Sequence, residues 1–308
     1  MISGFMIIKD ALKQGYPFVE AIASALPVCD EFLISDGYST DGTYETIEKI
    51  AQLNRKVKIY RQKWPVAKSA SFLADVTNDV RKKCQSEYIF YVQANEIVHE
   101  ESFAFIEALP EMRPDVNTFS FPYMQFLGIE KFTEGFRLRF SKNLPEIEAV
   151  SDAWTLGLSR KSLLRELSKS IKTPRRLLTY IGRGIDWTYA DACGSPLCKP
   201  IYLPKPIFRY WSLFPRNHVE KCATHSVVFN LPDWKKTVVD LEKQVDDPNF
   251  WKTVAKSARA TPYGVKYPEA LSVVKKEDHP IIMHGLIANS NIKRYFVREE
   301  ILEAVKDL

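Results

Sequence analysis

Apolar residues along the first hundred positions fall alternately into short continuous runs and helical stripes. Phe5, Met6, Ile7 and Ile8 form a buried-strand run closed by Lys9 and Asp10, and Phe18, Ile22, Ala25 and Leu26 then recur at helical spacing up to Pro27. Phe32, Leu33 and Ile34 lead a second run that ends at Asp36. A polar loop follows, and Tyr44, Ile47 and Ile50 resume the helical period. A third strand is predicted over 57–60, a helix over 71–83 from Leu73, Val76, Thr77 and Val80, and a fourth strand over 88–92. This alternation predicts a parallel sheet with right-handed crossovers.

The period then changes. Phe119, Phe121 and Tyr123 alternate, as do Phe136, Leu138 and Phe140, which predicts antiparallel or mixed strands added to the sheet, with Arg137 and Arg139 together on the opposite face. A polar link over 141–148 precedes a short strand over 154–158. Prolines 200, 204 and 206 confine the apolar stretch 201–211 to an edge or an irregular path. Helical stripes over 217–229, 234–245, 250–258 and 298–305 make a carboxyl-terminal extension. The chain thus divides at 1–112, 113–212 and 213–308.

Composition narrows the setting. A chain of 308 residues holds one large α/β domain with additions or two ordinary domains. Its net charge of +5 is too small to indicate nucleic acid as a partner. The cysteines number five, an odd count without a C-x-x-C pair, which suits buried thiols in a reducing cytoplasm; Cys193 and Cys198 alone are close enough in sequence to suggest a bridge or a metal. The start of the chain lacks the basic leader of a signal peptide, and no stretch approaches the roughly 18 to 20 apolar residues of a membrane span. A soluble, cytoplasmic protein is expected. Residues 160–183 are strongly basic, and Leu163, Leu164, Leu167 and Ile171 share one helical face. Such a segment either packs on the core with a solvated basic face or makes peripheral contact with an anionic membrane.

Ligands of open α/β sheets bind at the carboxyl ends of strands, which directs attention to Asp36 and the loop Asp36, Gly37, Tyr38, Ser39, Thr40, Asp41, Gly42, Thr43. Gly37 and Gly42 permit tight turns, and Asp41 or Thr43 is placed to cap the next helix. Gln93, Ala94, Asn95 and Glu96 follow the fourth strand in the same situation. The strand ending in Lys9 and Asp10, the Asp-Gly-x-Ser-x-Asp-Gly-Thr loop and the tetrad after strand four together resemble glycosyltransferase family 2. The likeness is specific over about residues 3–101. It implies a GT-A fold: a Rossmann-like mixed α/β sheet flanked by helices, here with the helical extension.

The resemblance implies a glycosyltransferase that moves a sugar from a nucleotide-diphosphate donor to an acceptor hydroxyl of a glycan, lipid or protein, with inversion at the anomeric carbon. It places Asp36 on the base or ribose, Lys9 or Asp10 on the nucleotide, and Asn95 and Glu96 on the diphosphate and a divalent metal, Mn or Mg. The family's Asp-Ala-Asp-Glu is Gln-Ala-Asn-Glu here, so two carboxylates are replaced by neutral amides that bind hard cations more weakly. Glu96 with His99 and Glu100 compensates, the metal is weakly held or displaced to Glu96, or it is absent; with the carboxylates reduced, Lys68, Arg137 or Arg139 carries more of the leaving-group charge. The family's His-Tyr pair also loses its histidine; Phe208, Arg209, Tyr210 and Trp211 stand there. Asp152, next to the apolar ring of Trp154, is the choice for the catalytic base, with Asp191 and Glu134 as rivals. Two other classes stay open: a catalytically weakened nucleotide- or sugar-binding protein of the same fold, and a nucleotidyltransferase, whose Gly-rich phosphate loop is not seen after strand one.

Overall fold

The computed structural model describes residues 1–65, 72–150, 152–159, 198–228, 232–257, 271–288 and 292–308. The amino-terminal half alternates as its apolar pattern requires: β1 (Ile2–Ile8), α1 (Ala11–Gln14), α2 (Phe18–Ala25), β2 (Glu31–Asp36), α3 (Thr43–Leu53), β3 (Val57–Arg61), α4 (Phe72–Arg81) and β4 (Tyr88–Tyr91). There follow β5 (Glu96–Ile97), α5 (Phe103–Met112), the long hairpin β6 (Thr118–Leu127) and β7 (Glu130–Lys142), the small pair β8 (Ile147–Val150) and β9 (Thr155–Leu158), then β10 (Cys198–Pro200) and β11 (Ile207–Ser212). The main sheet runs β3-β2-β1-β4-β7-β6-β11-β5. Strands β1 to β4 are mutually parallel, β7 is antiparallel to both β4 and β6, and β11 runs parallel to β6. The architecture is a mixed α/β sheet flanked by helices.

Both faces of this sheet are covered, which is why its strands read as continuous apolar runs. Met6, Phe32, Ile34 and Phe90 point into the core beneath α2, α3 and α5. Their neighbours Phe5, Leu33, Ile89 and Tyr91 point into a second core closed by α4 and the β8–β9 pair. Helices α6 (Pro215–Val228), α7 (Pro232–Glu242) and α8 (Phe250–Ser257) form the expected carboxyl-terminal extension, with Val219, Leu241, Phe250 and Val254 in a separate cluster. The chain then returns to the first domain half. Buried Glu20 of α2 accepts hydrogen bonds from Tyr295 Oη (2.8 Å) and Arg298 Nε (3.1 Å), while Asn217 donates to Leu12 O and Lys13 O and accepts from Tyr295 N.

Two elements differ from expectation. The polar link contains β8, four residues whose buried and half-buried positions alternate too briefly to stand out. And β11 is not an edge strand: it pairs with β6 on one side and β5 on the other. Pro204 and Pro206 lie in the irregular stretch before it, where a missing N–H breaks no ladder bond. The basic segment 160–183 lies outside the described residues. Among the described residues no helix is long and apolar enough to cross a membrane.

Candidate functional site

The carboxyl ends of β1, β2 and β3 are in register, with Ile8 opposite Asp36 and Asp36 opposite Arg61. Asp36 is fully buried and its carboxylate accepts from Ser39 N (3.1 and 3.2 Å) and from Arg61 Nε (3.1 Å). The Arg61 guanidinium lies 4.3 Å from the Tyr38 ring centre and 3.9 Å from that of Tyr44, a stacked arrangement that fixes the fork in place. Gly37 is required by close approach: a Cβ there would sit 2.8 Å from the Trp64 indole. Lys9 Nζ is 5.7 Å from the same ring. Gly42 enters α3 with φ +94°, a backbone conformation few other residues tolerate.

This loop is tied to the strand beside it. Asp10 N donates to Ser39 Oγ (2.9 Å), and Asp10 Oδ1 accepts from Thr40 N (2.8 Å). Asp41 holds two helix starts at once, accepting from Thr43 N (3.1 Å) and from Lys13 N (2.7 Å), so it serves as a cap. Lys9, Asp10 and Asp36 are therefore brought together. Strand β4 is two places from β2 in the sheet, about 10 Å away at the usual strand spacing, and its end carries the second polar group.

There Glu96 and Arg139 form a bidentate ion pair with both side chains fully buried. Nε donates to Oε2 at 2.9 Å and Nη2 to Oε1 at 2.5 Å; Oε2 also accepts from Gln93 N (3.1 Å), and Arg139 Nη1 donates to Trp154 O (2.9 Å). Burial opposes the Arg139 charge, but Glu96 beside it outweighs this and holds its pKa above the usual value. Asn95 is buried, its Nδ2 donating to Tyr210 O (3.2 Å) and its Oδ1 facing Arg209 Nε (3.4 Å). His99 accepts from Glu101 N, and Glu100 from Ile281 N. So arranged, Asn95 and Glu96 do not fit a divalent cation, since their oxygens already face guanidinium and backbone donors. No group of three or more His, Cys, Asp or Glu able to hold a metal occurs among the described residues.

The Asp152 turn joins this group. Gln93 Nε2 (2.9 Å) and Tyr91 Oη (2.8 Å) both donate to Ala153 O, which ties the turn holding Asp152 to side chains at the end of β4. Its rival Glu134 is exposed on β7 and paired with Lys131 (2.8 Å); Asp191 and Lys68 lie outside the described residues. The non-glycine residues with positive φ among the described residues are Asp10 (46°), Tyr38 (60°) and Ala153 (60°). All three sit in these loops, and strained backbone of this kind concentrates at functional sites.

Sequence reasoning missed Arg61, Trp64 and Arg209. Arg61 carried one signal, its place at the end of a third parallel strand beside that of Asp36. In the sequence nothing marks Arg209 beyond its place before Tyr210; its position beside Asn95 depends on the pairing of β11 with β5.

No family model matches the chain, and no curated protein matches it. Solved structures similar to it include TarS from S. aureus, at 12% identity over 85% of this chain and 46% of that one, with a TM-score of 0.39. A 1-349 form of TarS in complex with UDP-GlcNAc is 10% identical, with 99% of this chain and 90% of that one covered and a TM-score of 0.38. The mannosyltransferase PcManGT from Pyrobaculum calidifontis, in complex with GDP-Man and Mn2+, is 12% identical over 84% and 75%, with a TM-score of 0.38. The chain spans less than half the length of the first of these.

Proposed function

We propose that the chain is a family 2-type glycosyltransferase of GT-A fold that binds a nucleotide-diphosphate sugar at the carboxyl ends of β1, β2 and β4. The observation that carries this reading is the convergence of the Asp36 loop, Asp10 and the Asp152 turn on one end of a parallel sheet, where α/β folds bind ligands. Asp36 and Asp10 hold the nucleoside, with Lys9 and the Trp64 ring beside them. The diphosphate lies toward Asn95 and the arginines near it. Asp152 takes the proton of the acceptor hydroxyl; its oxygen attacks the anomeric carbon opposite the diphosphate, the carbon–oxygen bond to the diphosphate breaks, and the configuration inverts. No step is assigned to a metal, because the residues do not fit one.

A second reading has a specific observation behind it. Glu96 is locked to Arg139 and the amides replace the carboxylate pair, as in a binding protein that has lost transfer. Donor hydrolysis and transfer, followed with UDP- and GDP-sugars and varied acceptors, separate the two. The transferase reading expects turnover by the wild type and, in Asp152→Asn, retained nucleotide binding with turnover lost. Binding without turnover under every pairing establishes the second reading instead.

A further inference from the structure

Beside the Asp152 turn, three guanidiniums, those of Arg137, Arg139 and Arg209, stand close to buried Glu96. Glu96 neutralises Arg139. Arg137 and Arg209 are left with neutral partners: Arg137 Nη1 donates to Phe136 O (2.6 Å), and Arg209 Nη1 to Gln125 Oε1 (2.8 Å). Neither pairs with a carboxylate among the described residues. Both are held on the indole of Trp154, Arg137 at 4.4 Å and Arg209 at 4.8 Å from the ring centre, and Arg209 also lies 4.7 Å from Trp211. Cation–π contacts of this kind fix a guanidinium without discharging it. Among the described residues, the wall therefore carries two guanidiniums in fixed positions without a carboxylate partner of their own.

An independent observation points to a ligand here. Tyr123 is 2% exposed, yet its hydroxyl has no partner among the described residues, and Arg137 Nε is likewise unpaired. The two groups adjoin, with the Arg137 guanidinium 5.2 Å from the Tyr123 ring, and the Tyr123 ring packs edge-on against Trp154 at 6.2 Å. Buried donors left without acceptors are uncommon and each needs an explanation. Two orphaned donors next to these two cations describe a site for an oxyanion. Arg209 Nε faces Asn95 Oδ1 at 3.4 Å, which puts this site beside the end of β4.

We propose that Arg137 and Arg209, with the Tyr123 hydroxyl, bind the diphosphate of the donor as fixed cations and do the charge neutralisation that a divalent metal would otherwise supply. This rests on the nucleotide-sugar reading above. As the bond from the anomeric carbon to the diphosphate breaks, the electron pair passes to the departing oxygen, and the guanidiniums stabilise the added charge without moving. The buried Glu96–Arg139 pair supports this arrangement. It fills the place where a carboxylate would otherwise hold a metal, and it contributes no net charge to the site.

Titration calorimetry in EDTA with inorganic pyrophosphate, UDP, GDP and uridine tests the proposal on wild type, Arg137→Gln and Arg137→Lys, with far-UV circular dichroism to check folding. Pyrophosphate should bind the wild type without metal and compete with the nucleotide. Arg137→Gln should weaken pyrophosphate and nucleoside diphosphate about tenfold or more, the loss of a charged hydrogen-bond partner, leave uridine unchanged, and be partly rescued in Arg137→Lys. Arg209→Gln repeats the test at the second cation. If nucleotides bind only with manganese, or Arg137→Gln weakens uridine as much as UDP, this proposal is overturned while the nucleotide-sugar reading stands. If pyrophosphate binds but no nucleoside diphosphate does, the nucleotide-sugar reading fails and the donor assignment falls with it.

Discussion

Replacing Arg139 by methionine isolates the ion pair at the centre of the site. Both partners are fully buried, so the substitution strands a carboxylate that keeps only Gln93 N as a donor. Breaking a buried pair by removing one partner costs about 3–5 kcal/mol, and Glu96→Met, which strands the guanidinium instead, falls in the same range. Added independently the two would cost about 6–10 kcal/mol. The double variant strands no charge. It leaves Gln93 N and Trp154 O without these partners, at about 1–3 kcal/mol each, so it should lose about 2–6 kcal/mol, and at the middle of these ranges the coupling is about 4 kcal/mol. Urea denaturation of the four proteins measures this. A loss below about 1 kcal/mol in Arg139→Met, or additive behaviour in the double variant, would refute the buried pair.

Other predictions concern different parts of the molecule. His218 is buried, with Nδ1 2.8 Å from Ser212 Oγ, and burial pushes its pKa down to about 3 from 6.5. A depressed folded pKa means stability that is complete above about 6.5 and is lost as pH falls toward 3. His218→Gln should reduce the slope of stability against pH by about 1.4 kcal/mol per pH unit below 6.5. His279, pushed to about 4 mainly by burial, should make the same kind of contribution over a narrower window, and His279→Gln should show it. Burial raises the thiols of Cys84 and Cys222 to about 12. Peptide-resolved alkylation at pH 8 should leave both unmodified in the native protein and modify both in guanidinium; rapid native labelling would contradict their burial. Gly37→Ala should clash with Trp64 and lower the melting temperature while also weakening nucleotide binding; an unchanged melt and affinity would remove Trp64 from the site.

How much could be read in advance depended on how local each feature is. The loop from Asp36 to Thr43 was legible because its turn residues, its capping Asp41 and the helical stripe after it lie within about a dozen positions. The first four strands were legible because both faces of the sheet are buried, which makes apolar runs continuous. The Glu96–Arg139 pair was not legible: the partners are 43 positions apart. Alternation put Arg137 and Arg139 on one face but could not say which of them pairs with Glu96. Register shifts in the β6–β7 hairpin, between Phe119 and Ser120 and between Gln125 and Phe126, further loosen any inference from period alone. Arg209 reaches Asn95 across 114 positions, through a strand whose preceding prolines suggest an edge or an irregular path rather than an interior place in the sheet.

Calorimetric titration of UDP and GDP into wild type and Asp36→Asn, in the presence of EDTA, addresses nucleotide binding at the Asp36 loop most directly. Saturable binding of at least one nucleoside diphosphate to the wild type is expected, with an affinity at least about tenfold lower in a folded Asp36→Asn, since the charged acceptor at the end of β2 is then gone. No binding of either nucleotide to the wild type, or equal affinity in the two proteins, would contradict it.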